Sequence, residues 1–342
     1  ANAIQEEVAH VIESQGITLD KNDNTQLLQA VLLILVNELM IANWTERANP
    51  KNFRLNSVAY NGTLFVAVGV ADGTDAYIVT SPDGITWTER TNPKNASLKG
   101  VVYEGFLFVA VGASDLADAY IITSADGITW TERANPKTTT LDGVAYNGSL
   151  FVAVGSADVT DAYIVTSPDT ITWTERANPK SIALNGVAHD GSSLFVAVGS
   201  ADGADAYIVT SPDGITWTES VNPKNIDLAS VSYNGSLFVA VGAADGSDAY
   251  IVTSPDGITW TERANPKNAT LVDVAYDGSY LVAVGPADGS DAYIVTSTDG
   301  VTWTERVNPK NIDLFGVAHG DMFVAVGNTN VDAYILTTLR KL

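Results

Sequence analysis

The chain contains no cysteine in 342 residues, only two methionines and three histidines, and 18 Lys and Arg against 40 Asp and Glu. Each shortage excludes something. Without cysteine there is no disulfide framework, thiolate metal site or thiol nucleophile, so stability rests on packing. A formal charge of −22 and a pI near 4.2 argue against nucleic acid and anionic membranes as partners, because both require clustered cations. Long apolar runs are also missing. The greasiest stretch, residues 26–40, is interrupted by Gln29, Asn37 and Glu38 and falls short of the roughly 20 residues that a membrane span requires, so no span is expected. The opening residues carry Glu6 and Glu7 where a secretory signal has a basic region, so no targeting segment is expected there.

What the chain has in abundance is repetition. Trp44, Trp87, Trp130, Trp173, Trp217, Trp260 and Trp303 are 43 residues apart except for one gap of 44, the period of a four-stranded propeller blade. Read from Asn52, one unit predicts strands LNSVAY (55–60), LFVAVG (64–69), AYIVTS (76–81) and ITWTER (85–90). Asn61-Gly62 predicts a two-residue hairpin of the primed type, and Pro82-Asp83-Gly84 a second turn. A second strand that is apolar at every position predicts burial on both faces, which blades stacked in a ring provide.

Counting predicts closure. "VAVG" and "DAY" each occur seven times; the last unit ends without its Trp strand, and the first Trp strand, residues 43–47, lacks preceding strands. Pairing these fragments completes one blade and removes the exposed edges of an open array. The expected fold is all-β: a seven-bladed β-propeller of 43-residue, four-stranded repeats over 43–342, preceded by a small α-helical segment, 1–42.

Within that segment, Ile4, Val8, Val11 and Ile12 predict a short amphipathic helix over 4–14. A second helix is predicted from about Gln26 to Met40, with Asn24 or Thr25 as N-cap. Leu28, Leu32, Leu35 and Leu39 fall on one seam, while Leu27, Val31, Ile34 and Val36 spread apolar surface round the rest. Such a helix must be covered, by the first helix and by copies of itself or another protein. Residues 26–42 are therefore expected to mediate homo-oligomerisation.

Candidate chemical groups are few. The turn beginning at Ser81 (SPDGITW) resembles the Asp-box of sialidase-like propellers, with one residue missing between Asp and Gly. The resemblance implies a scaffold role for Asp83, Asp126, Asp169, Asp213, Asp256 and Asp299, each fastening its own hairpin, and carries no activity. Loops such as ADGTDAY hold two carboxylates, Asp72 and Asp75 in the first, but lack the ligand run of a calcium loop; the "DAY" aspartates are expected to meet backbone or lysine donors between blades, with Lys94 and its equivalents as partners. No metal or cofactor is implied.

Catalysis on a sevenfold scaffold should show as different groups converging on one place. The residues that break the repeat, Phe53, Arg54, Glu104, Phe106, His189, Ser220, Tyr280, Pro286, Phe315, His319 and Met322, are scattered over different blades, and an enzyme is not expected. His189 and His319 replace a Tyr and read as substituted core or rim residues. Variation does concentrate in the pairs before the Leu that opens each first strand: Phe53-Arg54, Ala96-Ser97, Thr139-Thr140, Ile182-Ala183, Ile226-Asp227, Ala269-Thr270 and Ile312-Asp313. These pairs and the residues after each "VAVG" should share one rim, opposite both hairpins, and they are the candidate ligand-binding residues; neutral drift of loops is the competing explanation.

Residues 12–31, IESQGITLDKNDNTQLLQAV, resemble segments of bacteriophage tail-fibre and related tail proteins. The resemblance implies a non-enzymatic attachment protein, trimeric through 26–42, assembled in a host cytoplasm and resident on a virion or extracellular particle. Its propeller would bind a repetitive cell-surface ligand of glycan type. The alternative is a structural or decorating component whose propeller binds another particle protein.

Overall fold

The computed structural model describes residues 8–13, 15, 17–18, 20, 23, 25–114, 119–158, 162–247, 249–287, 289, 292–329 and 333–339. Seven four-stranded antiparallel sheets follow one another round a ring. Blade one consists of Leu55–Tyr60, Phe65–Ala71, Ala76–Ser81 and Thr88–Arg90, and later blades repeat it. In the seventh, Leu314–His319, Phe323–Thr329 and Ala333–Thr337 are joined by Thr45–Arg47 as fourth strand, with Thr45 opposite Thr337 and Arg47 opposite Ile335. Closure is thus made by the two ends of the repeat region.

Seven apolar clusters lie between neighbouring sheets, and their composition shows why the second strand tolerates no polar residue. Val66 and Val68 pack towards blade two, whereas Phe65 and Ala67 on the same strand pack towards blade seven. All four side chains are buried. The cluster that joins Val324, Val326 and Ile335 to Leu55 and Tyr77 seals the ring.

One glycine position is dictated by close approach. A Cβ on Gly69 would lie 2.0 Å from the carbonyl oxygen of Arg54, and on Gly155 2.0 Å from that of Thr140. That carbonyl instead accepts the next amide, Val70 or Ser156, tying the chain entering a blade to its second strand.

Two local expectations are corrected. The Asn-Gly turns are not two-residue turns: Tyr60 faces Phe65, so the loop spans 61–64, and of the pair only Gly62 has positive φ. The Asn61 carboxamide oxygen accepts from the amides of Thr63 and Leu64, so the side chain performs the capping that the primed geometry would have supplied. A two-residue turn with both φ values positive occurs only in blade two among the described residues, at Gly105-Phe106. The fourth strands are also shorter than expected, Thr88–Arg90 rather than 85–90. The amides of Ile85 and Thr86 are taken by the Asp83 carboxylate at 2.8 Å, which removes them from the ladder. Equivalent bonds at Asp126, Asp169, Asp213, Asp256 and Asp299 fasten the other hairpins.

Helical backbone is present over 8–13 and over Gln26–Ala42. Thr25 makes no side-chain cap, and its own amide donates to Asp23. The longer helix lies against the hairpin side of blades six and seven. Ala30, Met40 and Ile41 are buried, Glu38 accepts from the Tyr280 hydroxyl at 3.0 Å, and Glu38 pairs with Arg306 at 2.9 Å. No helix among the described residues is long and apolar enough to cross a membrane.

Candidate functional site

The first strand of every blade faces the ring axis, and together they enclose a central cavity of about 420 Å3. Its wall is set by the residue after the opening Leu, which in chain order is Asn56, Lys99, Asp142, Asn185, Ala229, Val272 and Phe315. Sevenfold symmetry fails here more than anywhere else in the repeat. One arc is polar and charged, from blade one to blade four; the other is apolar, from blade five to blade seven.

The polar arc is organised by specific bonds. Lys99 pairs with Asp142 at 2.6 Å. Burial pushes the Asp142 carboxyl up from its usual range, against the lowering effect of Lys99. Asn56 donates to the Leu98 carbonyl at 2.6 Å and accepts the Arg54 Nε–H at 2.6 Å, while the Arg54 guanidinium lies 4.4 Å over the Phe315 ring. Across the cavity, desolvation pushes Asp273 up to about 6 despite bonds from the Val317 and Val274 amides and the Ser230 hydroxyl. Both Asp273 oxygens are therefore engaged in holding blades five to seven together.

The fourteen pair residues lie on the rim opposite both hairpins, beside the loops that follow "VAVG". Their local work is structural in most copies. Phe53, Ile182, Ile226, Ala269 and Ile312 pack against the interblade clusters, and Ala96 is buried within one. Thr139 is half-buried and Ala183 offers no side-chain acceptor. Ser97, Thr140, Asp227, Thr270 and Asp313 accept the amides of Ala71, Ser114, Ala201, Ala244 and Ala287 in the preceding blade. Ser, Thr and Asp share one property, an oxygen acceptor two or three bonds from Cα, and that property explains their interchange. Arg54 is the pair member directed to the cavity.

The residues that sequence reasoning passed over are Lys99, Asp142, Asn185 and Asp273. For the first three the signal was available in the column after the opening Leu, where seven repeats carry six residue types, and for Asp273 in the next column, where the other repeats carry only Gly or Ser.

A second system, an interblade latch, accounts for the acidic loops. Among the described residues, lysines pair with the first aspartate of the loop and with the Glu of "TER", not with the "DAY" aspartate: Lys51 holds Asp72 at 2.9 Å and Glu89, and Lys224 holds Asp245 at 2.5 Å and Glu262. The reason is that the backbone amides of Asn92 and Asn222 already occupy Asp75 and Asp205. Asp118, Asp161, Asp248, Asp291 and Asp332 lie outside the described residues. The Tyr of each "DAY" donates to the Asn of the "NPK" connection at 2.5–2.8 Å, in all seven blades. Burial pushes Tyr207 and Tyr250 up to about 12. Asp202, Asp205 and Glu219 bring carboxylate oxygens within 4.8 Å of one another, but the Lys180 ammonium lies between Asp202, at 2.5 Å, and Glu219. That bond and the amides of Ala204 and Asp205 hold Asp202 down at about 2.

The two rim histidines sit beside aromatic side chains, and His189 Nε2 also lies 3.8 Å from the Asp190 carboxylate. His189 packs at a tilt against Phe195, centroids 4.5 Å apart, and accepts the Gly191 amide, and His319 packs 6.3 Å from Phe323. On the hairpin face a groove of about 1250 Å3 runs between the long helix and the turns of blades six and seven. The outer side of that helix is uncovered: Leu28, Leu35 and Leu39 are each 60% exposed and Leu32 is 50% exposed.

Residues 134–271 match the family profile described as the DUF6242 beta propeller domain. No curated protein matches the chain. Among solved structures, YCF48 bound to D1 peptide is 18% identical with a TM-score of 0.65, covering 87% of this chain and 96% of that one. YCF48 from Cyanidioschyzon merolae is 16% identical with a TM-score of 0.62, covering 87% and 98%. A catalytically inactive virginiamycin B lyase from Staphylococcus aureus with quinupristin is 14% identical with a TM-score of 0.68, covering 87% and 99%. At these identities the shared property is the fold: this chain is similar to proteins built on a complete β-propeller of the same extent.

Proposed function

We propose that the chain is a non-enzymatic attachment module that assembles through its N-terminal helix and presents the rim around the central cavity to a cell-surface glycan. The supporting observation is the opposition of two unlike faces. The hairpin face carries the helix with its uncovered leucine seam, and the opposite face carries the cavity mouth, where the repeats differ most. A rigid ring that varies at one mouth is suited to recognition, since function tends to sit where a fixed scaffold presents varied side chains.

The seam residues Leu28, Leu32, Leu35 and Leu39 are spaced four, three and four residues apart, the repeat of a coiled coil. Copies of the same helix would bury that surface, and a trimer suits the tail-fibre likeness of residues 12–31. A particle-borne fibre head is the setting this implies. The cavity carboxyls favour binding over catalysis: Asp142 is neutralised by Lys99, and Asp273 is saturated by donors.

A glycan-array and whole-cell binding screen with the full chain tests the reading. Binding is expected, and it should fall when charged residues replace Ala96-Ser97 or Thr139-Thr140 on the cavity rim. Binding that survives there but is lost on altering the Asn-Gly turns would move the site to the other face. Absence of binding to any cell or glycan would refute attachment and leave the decorating role.

A further inference from the structure

The geometry points to the Arg54 side of the central cavity as a subsite for the carboxylate of an acidic sugar, a hexuronate or a residue of like chemistry. This rests on the reading of the cavity mouth as a glycan-binding face and specifies what the face selects.

The argument begins with charge accounting. In a chain of net charge −22, the eight lysines of the described residues all pair with carboxylates, at Asp72, Asp142, Asp158, Asp202, Asp245, Glu132, Glu305 and Glu46 among others. The described arginines other than Arg54 belong to the repeated "TER" and lie on outer strands. Arg54 alone stands at the cavity, and among the described residues it makes no ion pair. It is nonetheless held in place: Nε donates to Asn56, Asn56 is anchored on the Leu98 carbonyl, and Phe315 supports the guanidinium plane. The two η nitrogens remain available, in the fork that suits a carboxylate better than a point charge does.

The surroundings match the rest of a pyranose. A sugar ring offers an apolar face of C–H groups and an edge of hydroxyls. The cavity offers an apolar arc at Ala229, Val272 and Phe315 and hydrogen-bonding groups at Asn56, Asp142 and Asn185, within a volume of about 420 Å3 that admits one or two sugar residues. The global negative charge is a lesser obstacle than its size suggests. Exposed carboxylates beyond about 8 Å are screened at physiological salt, and the near one, Asp142, is already met by Lys99.

Calorimetric titration of the full chain with methyl glucuronide and methyl glucoside tests this directly. The glucuronide is expected to bind about tenfold or more tightly, the difference carried by one charge-assisted pair, and Arg54→Gln, in a chain still folded by circular dichroism, should abolish that difference so that the two sugars bind alike. Equal binding of the two sugars, or a preference that survives Arg54→Gln, overturns the assignment. So does a short peptide with a free C-terminal carboxylate that binds through Arg54 more tightly than the glucuronide, since it would make the ligand a protein. If the chain binds whole cells but shows no uronide preference, the acidic-sugar subsite fails and the attachment reading stands. If it binds neither cells nor any sugar, both fail.

Discussion

Carboxylates that hold hairpins and join blades set this protein's response to pH through their ionisation. Asp126 is held down at about 2 by the amides of Thr129 and Ile128, and Asp202 likewise by Lys180 and two amides. Carboxylates lowered in the folded state add stability above their unfolded value of about 3.9, and that contribution is lost as the pH falls towards 2. Asp273 has the opposite sign. Its folded value of about 6 means that the folded chain keeps a proton the unfolded chain has released, so its contribution becomes unfavourable as pH rises from about 4 to 6. The Asp273→Asn variant removes this ionisation, and the acceptor oxygen it also loses costs a pH-independent amount that cancels when two pH values are compared. Urea denaturation of both chains at pH 4 and pH 7 should show the variant gaining on its parent by about 2 kcal/mol between the two pH values, after allowance for water in the open cavity. A difference that does not change with pH would contradict the desolvated carboxyl.

At the scale of elements, the decisive pairing is that of Thr45–Arg47 with Ala333–Thr337. The strand contributes more than three ladder positions: Trp44 is buried in the blade six to seven cluster, Arg47 Nε donates to the Thr337 hydroxyl at 2.8 Å, and Glu46 pairs with Lys310. A chain starting at residue 43 should keep most of its stability. One starting at residue 48 should lose about 3–5 kcal/mol, on the scale of deleting a buried tryptophan, and expose an unpaired edge at Ala333–Thr337. Equal melting temperatures for the two truncations would show that closure resides elsewhere.

This pairing was legible in the sequence because a half-unit at each end is a matter of counting, and the all-apolar second strand declared its two-sided burial in the same way. The Asn-Gly turns were misread because a dipeptide does not reveal loop length. Asn61 uses its side chain where a primed turn would use its backbone, and both solutions begin with the same two letters. The cavity wall was missed for a different reason. Lys99, Asp142 and Asp273 acquire meaning only once their strands are known to line the axis, whereas the pairs before the opening Leu attracted notice through variation that the interblade bonds of Ser97, Thr140 and Asp227 explain.

For the whole molecule, the ring carries the leucine seam of the helix on one face and the cavity mouth on the other, and the proposed attachment depends on both. Assembly through the seam formed by Leu28, Leu32, Leu35 and Leu39 would set several cavity mouths side by side, and a modest affinity per mouth then becomes strong adhesion, by a factor of about 10² or more where the geometry permits simultaneous engagement. The most direct test compares cell binding by the full chain with that of the Leu28→Glu/Leu35→Glu variant, with light scattering on both. The account predicts an oligomeric parent and a folded monomeric variant whose cell binding is about 100-fold weaker while its per-chain affinity for a soluble sugar is unchanged. A monomeric parent, or a monomeric variant that binds cells as tightly as the parent, would contradict it.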